Sequence, residues 1–432
     1  MSTDPTASPD AGILISGARI VTLAGEGDRT PRRGARLGDL GVVERGWIRV
    51  GEGRIIEIGE GDAPPVTPGT SIVHADGRVV MPTFVDCHTH ACFAGDRSDE
   101  FEARLAGADY LEILEAGGGI MATVRAVRGA PEELLADGLV GRLERMARLG
   151  SGAIEVKSGY GLDVETELKM LRAIQAASER TDQLVTPTFL GAHALDADAT
   201  DPAEAVDRII DTALPEAAAA FPGIACDAYC EESAWSLADC RRLFEAAIEL
   251  GCHVRVHTDQ FNRLGMTRLA VEMGARSVDH LEASSGEDLR TVAASDTIGV
   301  LLPVSGFTLD GRYADGREFV DLGGAVAIAS NYNPGSAPSP SIPFAIALAC
   351  RHAGLRPAEA ITAATWNAAC VLDLQDEIGS LEPGKRADLQ LLDTRDERDL
   401  GLEIGGPGPT GVMLAGRWHE TGWSRRAGNL AL

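Results

Sequence analysis

Two textures of apolar and polar residues alternate along the chain. From Ile13 to about Val80, short runs such as GILISGARIVTLAG and GWIRVGEGRIIEIGEG place apolar residues near every second position and break at glycines. That period predicts antiparallel strands joined by tight turns. The texture returns in ADLQLLD and GVMLAGRW, after the turn-rich GSLEPGKR. Half-sheets at both ends of one long middle segment predict a single small β domain assembled from both termini.

The middle segment reads differently. Eight short apolar runs stand in it: VVMPTFVDCH, AIEVKS, LVTPTFLGAH, IACDAYCEE, HVRVHTDQ, RSVDHLE, TIGVLLP and AVAIAS. Stretches such as PEELLADGLVGRLERMARLG and DVETELKMLRAIQAASER, apolar at three- and four-residue spacing, separate most of them and predict helices. Repeated strand–helix units imply parallel strands, and eight of them imply an α/β fold of the (β/α)8, TIM-like barrel type. The expected organisation is a disordered tail over 1–12, a β-sandwich domain from 13–80 plus 376–432, and the barrel over 81–375. A doubly wound sheet shares the alternation, but the polar residues favour a barrel. His88, His90, Lys157, His193, Glu231, His257, His280 and Asn331 all stand at the C-terminal ends of their strands. Only a barrel brings all those ends to one mouth.

Composition narrows the partners. The 432 residues carry 65 acidic against 39 basic side chains, a formal net charge of -26, with no clustered Lys/Arg stretch. Nucleic acid is excluded as a natural partner, and an anionic substrate needs a local cation in its pocket. The start, MSTDPTASPDAG, is polar and acidic, unlike a secretory signal, and no window offers a membrane span. The eight cysteines are scattered through apolar runs without paired CxxC spacing, the pattern of reduced core residues in a cytoplasmic protein. Cys226 and Cys230 are four apart, but the stretch IACDAYC reads as core.

Candidate chemistry starts at FVDCHTH. His88 and His90 are two apart at a strand end, so alternation sets both imidazoles on one face, where they can share a cation. His257 and His280 stand at the fifth and sixth strand ends. Three or four histidines at one mouth form the nitrogen-rich set that zinc or iron(II) favours. His74, His253, His352 and His419 lie off the strand ends and read as packing or surface residues.

With these residues in view, the sequence resembles the metal-dependent amidohydrolase superfamily, and within it the imidazolonepropionases of histidine degradation. The segments that carry the likeness are CHTHACFAGDRSDEFEARLAG, AGGGIMATVRAVR, EVKSGYGLDVETELKML, PTFLGAHAL, VHTDQF, SVDHLE and NPGSAPS. The resemblance implies one zinc or iron ion, a homodimer, and hydrolysis of the cyclic amide of 4-imidazolone-5-propanoate to N-formimidoyl-L-glutamate by a metal-activated water. It implies metal binding by His88, His90 and His257, and substrate contacts from Arg97, Tyr160, His193, Gln260, Asn333, Gly335 and Ser336. Catalytic roles fall on His280, Gln260 and position 331. Arg97 can supply the missing local cation as a bidentate clamp on the propanoate carboxylate, and Tyr160 a phenolic hydrogen bond. Lys157 stands where binuclear relatives carry a carbamylated lysine and is read as structural.

One position departs from the pattern. The family has an aspartate, a metal ligand and proton carrier, where this chain has Asn331 before Tyr332 and NPGS. An amide still offers the metal a neutral oxygen but accepts no proton. Asp259, Asp279 and His280 are the candidate replacement carriers. The alternatives are another cyclic-amide hydrolase or deaminase of the superfamily, or a catalytically weak metal- and ligand-binding paralogue or inactivated variant. A deaminase of neutral bases needs no carboxylate clamp, so Arg97 with Tyr160 speaks against it.

Overall fold

The computed structural model describes residues 12–421 except 26, 108–111, 113–116, 233 and 406–407; the tail expected over 1–12 lies outside the described residues but for Gly12. The alternating segments at both ends form one mixed sheet. Its strands are β1 (Ile13–Val21), β2 (Val42–Gly51), β3 (Arg54–Glu60), β4 (Ser71–His74) and β5 (Val79–Pro82) from the N-terminal part. The barrel strands follow as β6 (Phe84–Asp86), β7 (Ser151–Lys157), β8 (Leu184–Ala192), β9 (Ala225–Cys230), β10 (His253–Thr258), β11 (Ser277–His280), β12 (Ile298–Leu301) and β13 (Val326–Ile328). β14 (Leu389–Leu391), β15 (Gly411–Leu414) and β16 (Arg417–Glu420) then return to the terminal sheet, whose order is β16-β15-β14-β5-β1-β2-β3, with β4 beside β1. Ile15, Ile20, Ile48, Val50, Ile55, Leu389, Leu391 and Met413 share one core, so the sheet wraps around its own apolar face.

The segment VVMPTFVDCH, expected as one strand, is two. Thr83 N bonds to Asp388 O in the terminal sheet, whereas the next amide, Phe84 N, bonds to Gly150 O at the barrel. Pro82, which has no N–H to continue a ladder, marks the change.

All eight barrel strands are parallel and neighbour one another in sequence order. The seam between last and first closes beyond the strands: Asn331 N donates to His88 O (3.1 Å) and His90 N to Tyr332 O (2.9 Å). Ser330 N adds a bond to Asp86 Oδ1 (3.0 Å). Position 331 is thereby stitched to the HxH segment, more than two hundred residues away in sequence.

Strand parity decides what fills the barrel. Ile154, Val156, Cys226, Ala228, Val254, Val256 and Val278 face the helices. Their alternates Glu155, Lys157, Asp227, Arg255, His257, Ser277 and Asp279 point inward and are all buried. Buried charge must be paired, and it is. Lys157 Nζ lies 2.6 Å from Glu155 and 2.7 Å from Asp227, and Arg255 lies 3.1 Å from Glu155 and 2.8 Å from Asp279. Arg255→Met leaves two buried carboxylates short of a partner and should cost about 3–5 kcal/mol of stability. Urea unfolding checks this; a midpoint within error of wild type would show that the network is energetically idle.

Candidate metal centre and substrate pocket

His88, His90 and His257 converge at the C-terminal mouth, each buried, with one ring nitrogen apiece lying within 4.8 Å of the others. Two are held from behind by carboxylates. His88 Nδ1 donates to Asp279 Oδ2 (2.6 Å) and His257 Nδ1 to Asp227 Oδ1 (3.1 Å), which turns both Nε2 lone pairs into the mouth. Burial, assisted for His88 by nearby Lys157, pushes the pKa of His88 and His90 well below the usual imidazole value. Burial also lowers His257. All three are thus neutral near pH 7, the form that binds metal.

The donor set fits a divalent ion. His88 Nε2 is buried without a hydrogen-bond partner, and His257 Nε2 sits 3.2 Å from His90 Nε2, two like atoms facing each other. A shared cation satisfies all three nitrogens. Lys157, spent on two carboxylates and fully buried, has no free amine for carbamylation, in agreement with its structural reading.

Asn331 is tied to the HxH segment through its backbone amide, which donates to His88 O. Its φ is 53°, a left-handed conformation that Asn adopts more readily than most residues. Nδ2 donates to Ser305 Oγ at 2.7 Å, while Oδ1 is buried and unpartnered. Of the three candidate proton carriers, two are committed elsewhere. Asp279 accepts from Ser277, Arg255 and His88, and Asp259 accepts from the hydroxyls of Thr258, Thr267 and Ser284. His280 remains: its ring centroid is 5.6 Å from that of His257, and its Nδ1 is 3.1 Å from Glu282 Oε1.

The expected substrate residues divide into those gathered around the histidine cluster and those engaged within their own loops. Tyr160 and His193 stand together, ring centroids 5.3 Å apart, and His193 stacks on His90 at 4.6 Å. His193 Nδ1 donates to Gly159 O (2.8 Å), so its Nε2 is an acceptor; burial, then His257, lowers its pKa to about 3. Gln260 Oε1 accepts from Tyr229 Oη (2.9 Å). Tyr229, one residue before the end of β9, was not singled out from sequence; its aromatic ring reads as core until the strand's end is seen to reach the mouth. Glu231 receives the amides of Phe261 and Asn262 and so shapes the loop after Gln260.

Two of the expected residues have polar atoms already engaged within the fold. Asn333 spends both amide atoms on its own loop, donating to Asn331 O and Ser336 Oγ and accepting from the amides of Gly335 and Ser336. It shapes the NPGS turn. Arg97 has no free fork: Nε and Nη2 each lie 2.6 Å from Glu100, which also accepts from Gly119 N and Arg104. Nη1 donates a long bond to Thr123 Oγ1 (3.4 Å), and a Cβ on Gly335 would also lie 3.4 Å from it. The off-site histidines are occupied as expected, His352 stacked on Tyr313 and His74 bonded to Ser16. The eight cysteines are free thiols, seven of them buried.

A barrel with this histidine cluster defines a metal-dependent hydrolase. The amidohydrolase family model matches residues 79–419. Solved structures of the same fold include a triazine hydrolase variant (TM-score 0.73, 15% identity, 94% of each chain) and an adenosine deaminase from Xanthomonas campestris with bound zinc (TM-score 0.70, 18% identity, 94% of this chain and 92% of that one). Imidazolonepropionase from Symbiobacterium thermophilum is 45% identical over 91% of this chain and 93% of its own length. That from Herpetosiphon aurantiacus is 41% identical over 94% and 96%. The chain belongs to the amidohydrolase family and, within it, to the imidazolonepropionases.

Proposed function

We propose that this protein hydrolyses the cyclic amide of 4-imidazolone-5-propanoate to N-formimidoyl-L-glutamate, with one zinc or iron ion held by His88, His90, His257 and the Asn331 oxygen. The observation that carries the proposal is the carboxylate-backed histidine cluster lying beside Tyr160 and His193. An ion held there would supply Lewis acidity for the carbonyl and would lower the pKa of water toward neutrality. The neutral His193 Nε2 accepts a ring N–H of the substrate, Tyr160 donates to it, and Gln260, its oxygen held by Tyr229, presents its amide hydrogens. The Nη1 edge of Arg97 meets the propanoate. His280, backed by Glu282, takes the proton of the water that adds to the amide carbonyl carbon, as Asn331 cannot, and returns it to the ring nitrogen as the C–N bond breaks. We also propose that the protein works in the cytoplasm as a homodimer, as its family resemblance implies; light scattering measures the latter.

A weaker reading, binding with little turnover, draws on Asn331 alone. Incubation of the metal-analysed protein with fresh 4-imidazolone-5-propanoate separates the two: formation of N-formimidoyl-L-glutamate at ordinary enzyme rates supports the hydrolase, and tight binding without product supports the second. Arg97→Lys loses the planar fork that pairs with Glu100 while keeping the charge. It should raise KM by about tenfold or more with a smaller change in kcat. An unchanged KM, or equal affinity for an analogue lacking the carboxylate, would refute the contact.

A further inference from the structure

We infer that Glu167 is the positioning residue on which both Tyr160 and His193 depend. The inference deepens the proposed function, since those two side chains are the assigned substrate contacts. Glu167 lies in the first turn of the helix Val164–Ser178 and is fully buried. Among the described residues it forms no ion pair. Its carboxylate is instead enclosed by the turn before the helix: Oε2 accepts from Gly159 N (2.9 Å), and Oε1 accepts from Gly161 N (2.7 Å) and Leu162 N (2.9 Å). Three converging amides make a fixed concavity for one anion, and Tyr160 is the residue in the middle of it.

The turn has the backbone that such wrapping requires. Gly159 has φ 102° and Leu162 φ 57°, and a Cβ on Gly161 would lie 2.5 Å from Glu167 N. The same turn aims the histidine. Gly159 O, whose own amide is tied to Glu167, accepts from His193 Nδ1 at 2.8 Å. A carbonyl can only accept, so His193 must carry its proton on Nδ1 and turn Nε2 outward. One carboxylate thereby sets the phenol of Tyr160 and the tautomer of His193. The helix has its own N-terminal acceptor, Asp163, whose side chain takes Thr166 N at 2.7 Å, so capping does not account for Glu167.

Glu167→Gln tests this with size kept. Its NH2 group would face at least one amide donor to donor, releasing part of the turn. In hydrogen-exchange mass spectrometry of the purified protein, peptides across 158–163 should exchange about ten times faster or more, while the helix Val164–Ser178 and the barrel strands keep their protection. With substrate, KM should rise by about ten- to a hundredfold and kcat by far less affected, metal content being equal. In a Tyr160→Phe/His193→Gln background the same substitution should change KM little, because the groups it positions are gone. Unaltered exchange in the turn, or an equal KM change in both backgrounds, would overturn the inference. Should Glu167→Gln unfold, Gly159→Ala strains the turn from its other side, since the new Cβ would lie 3.0 Å from His193 Nδ1. It should reproduce the local exchange and KM effects, and an unchanged KM with wild-type protection would refute them. The exchange measurement needs no substrate, so a wild type without turnover would discredit the proposed function and leave this inference to stand or fall on its own.

Discussion

Asn331→Asp should raise turnover by an order of magnitude or more, within the roughly 100- to 10,000-fold that acid–base catalysis supplies. The structure gives the new carboxylate a place on both sides. One oxygen takes the position of Asn331 Oδ1, now buried and unpartnered, and the other accepts from Ser305 Oγ, already 2.7 Å from Nδ2. The left-handed backbone at 331 suits Asp as well as Asn. KM should move less, because Tyr160, His193 and Arg97 are untouched. Steady-state kinetics at matched metal content measure the effect. A wild type at ordinary enzyme rates, unimproved by aspartate, would show that the His280–Glu282 pair already carries the proton. Two inactive, fully loaded proteins would discredit the proposed substrate.

Replacing His88, His90 or His257 by alanine should cost more. Each change removes one of three converging nitrogens while leaving the charge network behind them paired. Asp279 keeps Arg255 and Ser277, and Asp227 keeps Lys157. The variants should therefore fold, lose most of their metal, and turn over at least about a thousandfold more slowly, as removal of several kcal/mol of Lewis-acid stabilisation requires. Elemental analysis beside unfolding curves checks this. Undiminished stoichiometric metal in all three would sink the assignment, and chelation of the wild type should give the same loss reversibly.

Much of this architecture is legible in the residues. Parity in AIEVKS, HVRVHTDQ and RSVDHLE already separates outward valines from inward Glu155, Lys157, Arg255, His257 and Asp279. The HxH spacing puts two imidazoles on one face. Motif resemblance assigns Tyr160, His193, Gln260 and position 331 to one pocket before any coordinates. What the pattern misses are residues whose role lies in another segment. Tyr229 looks like strand core until it meets Gln260, and Glu167 looks like an ordinary first-turn acid until the turn before it closes over the carboxylate.

The sequence by itself determined the eight strand–helix repeats, the HxH pair on one strand face and the loss of a carboxylate at Asn331, because these follow from local period and side-chain chemistry. Only the tertiary structure decided the state of each group. It set Glu100 across the fork of Arg97, committed Asp259 and Asp279 to other partners, gave both amide atoms of Asn333 to its own loop, and paired His280 with Glu282. The reason is physical: a buried polar group takes whichever partner the fold brings within about 3 Å, whether three residues away as Glu100 is from Arg97 or 24 away as Arg255 is from Asp279, and local pattern does not say which of the available partners that will be.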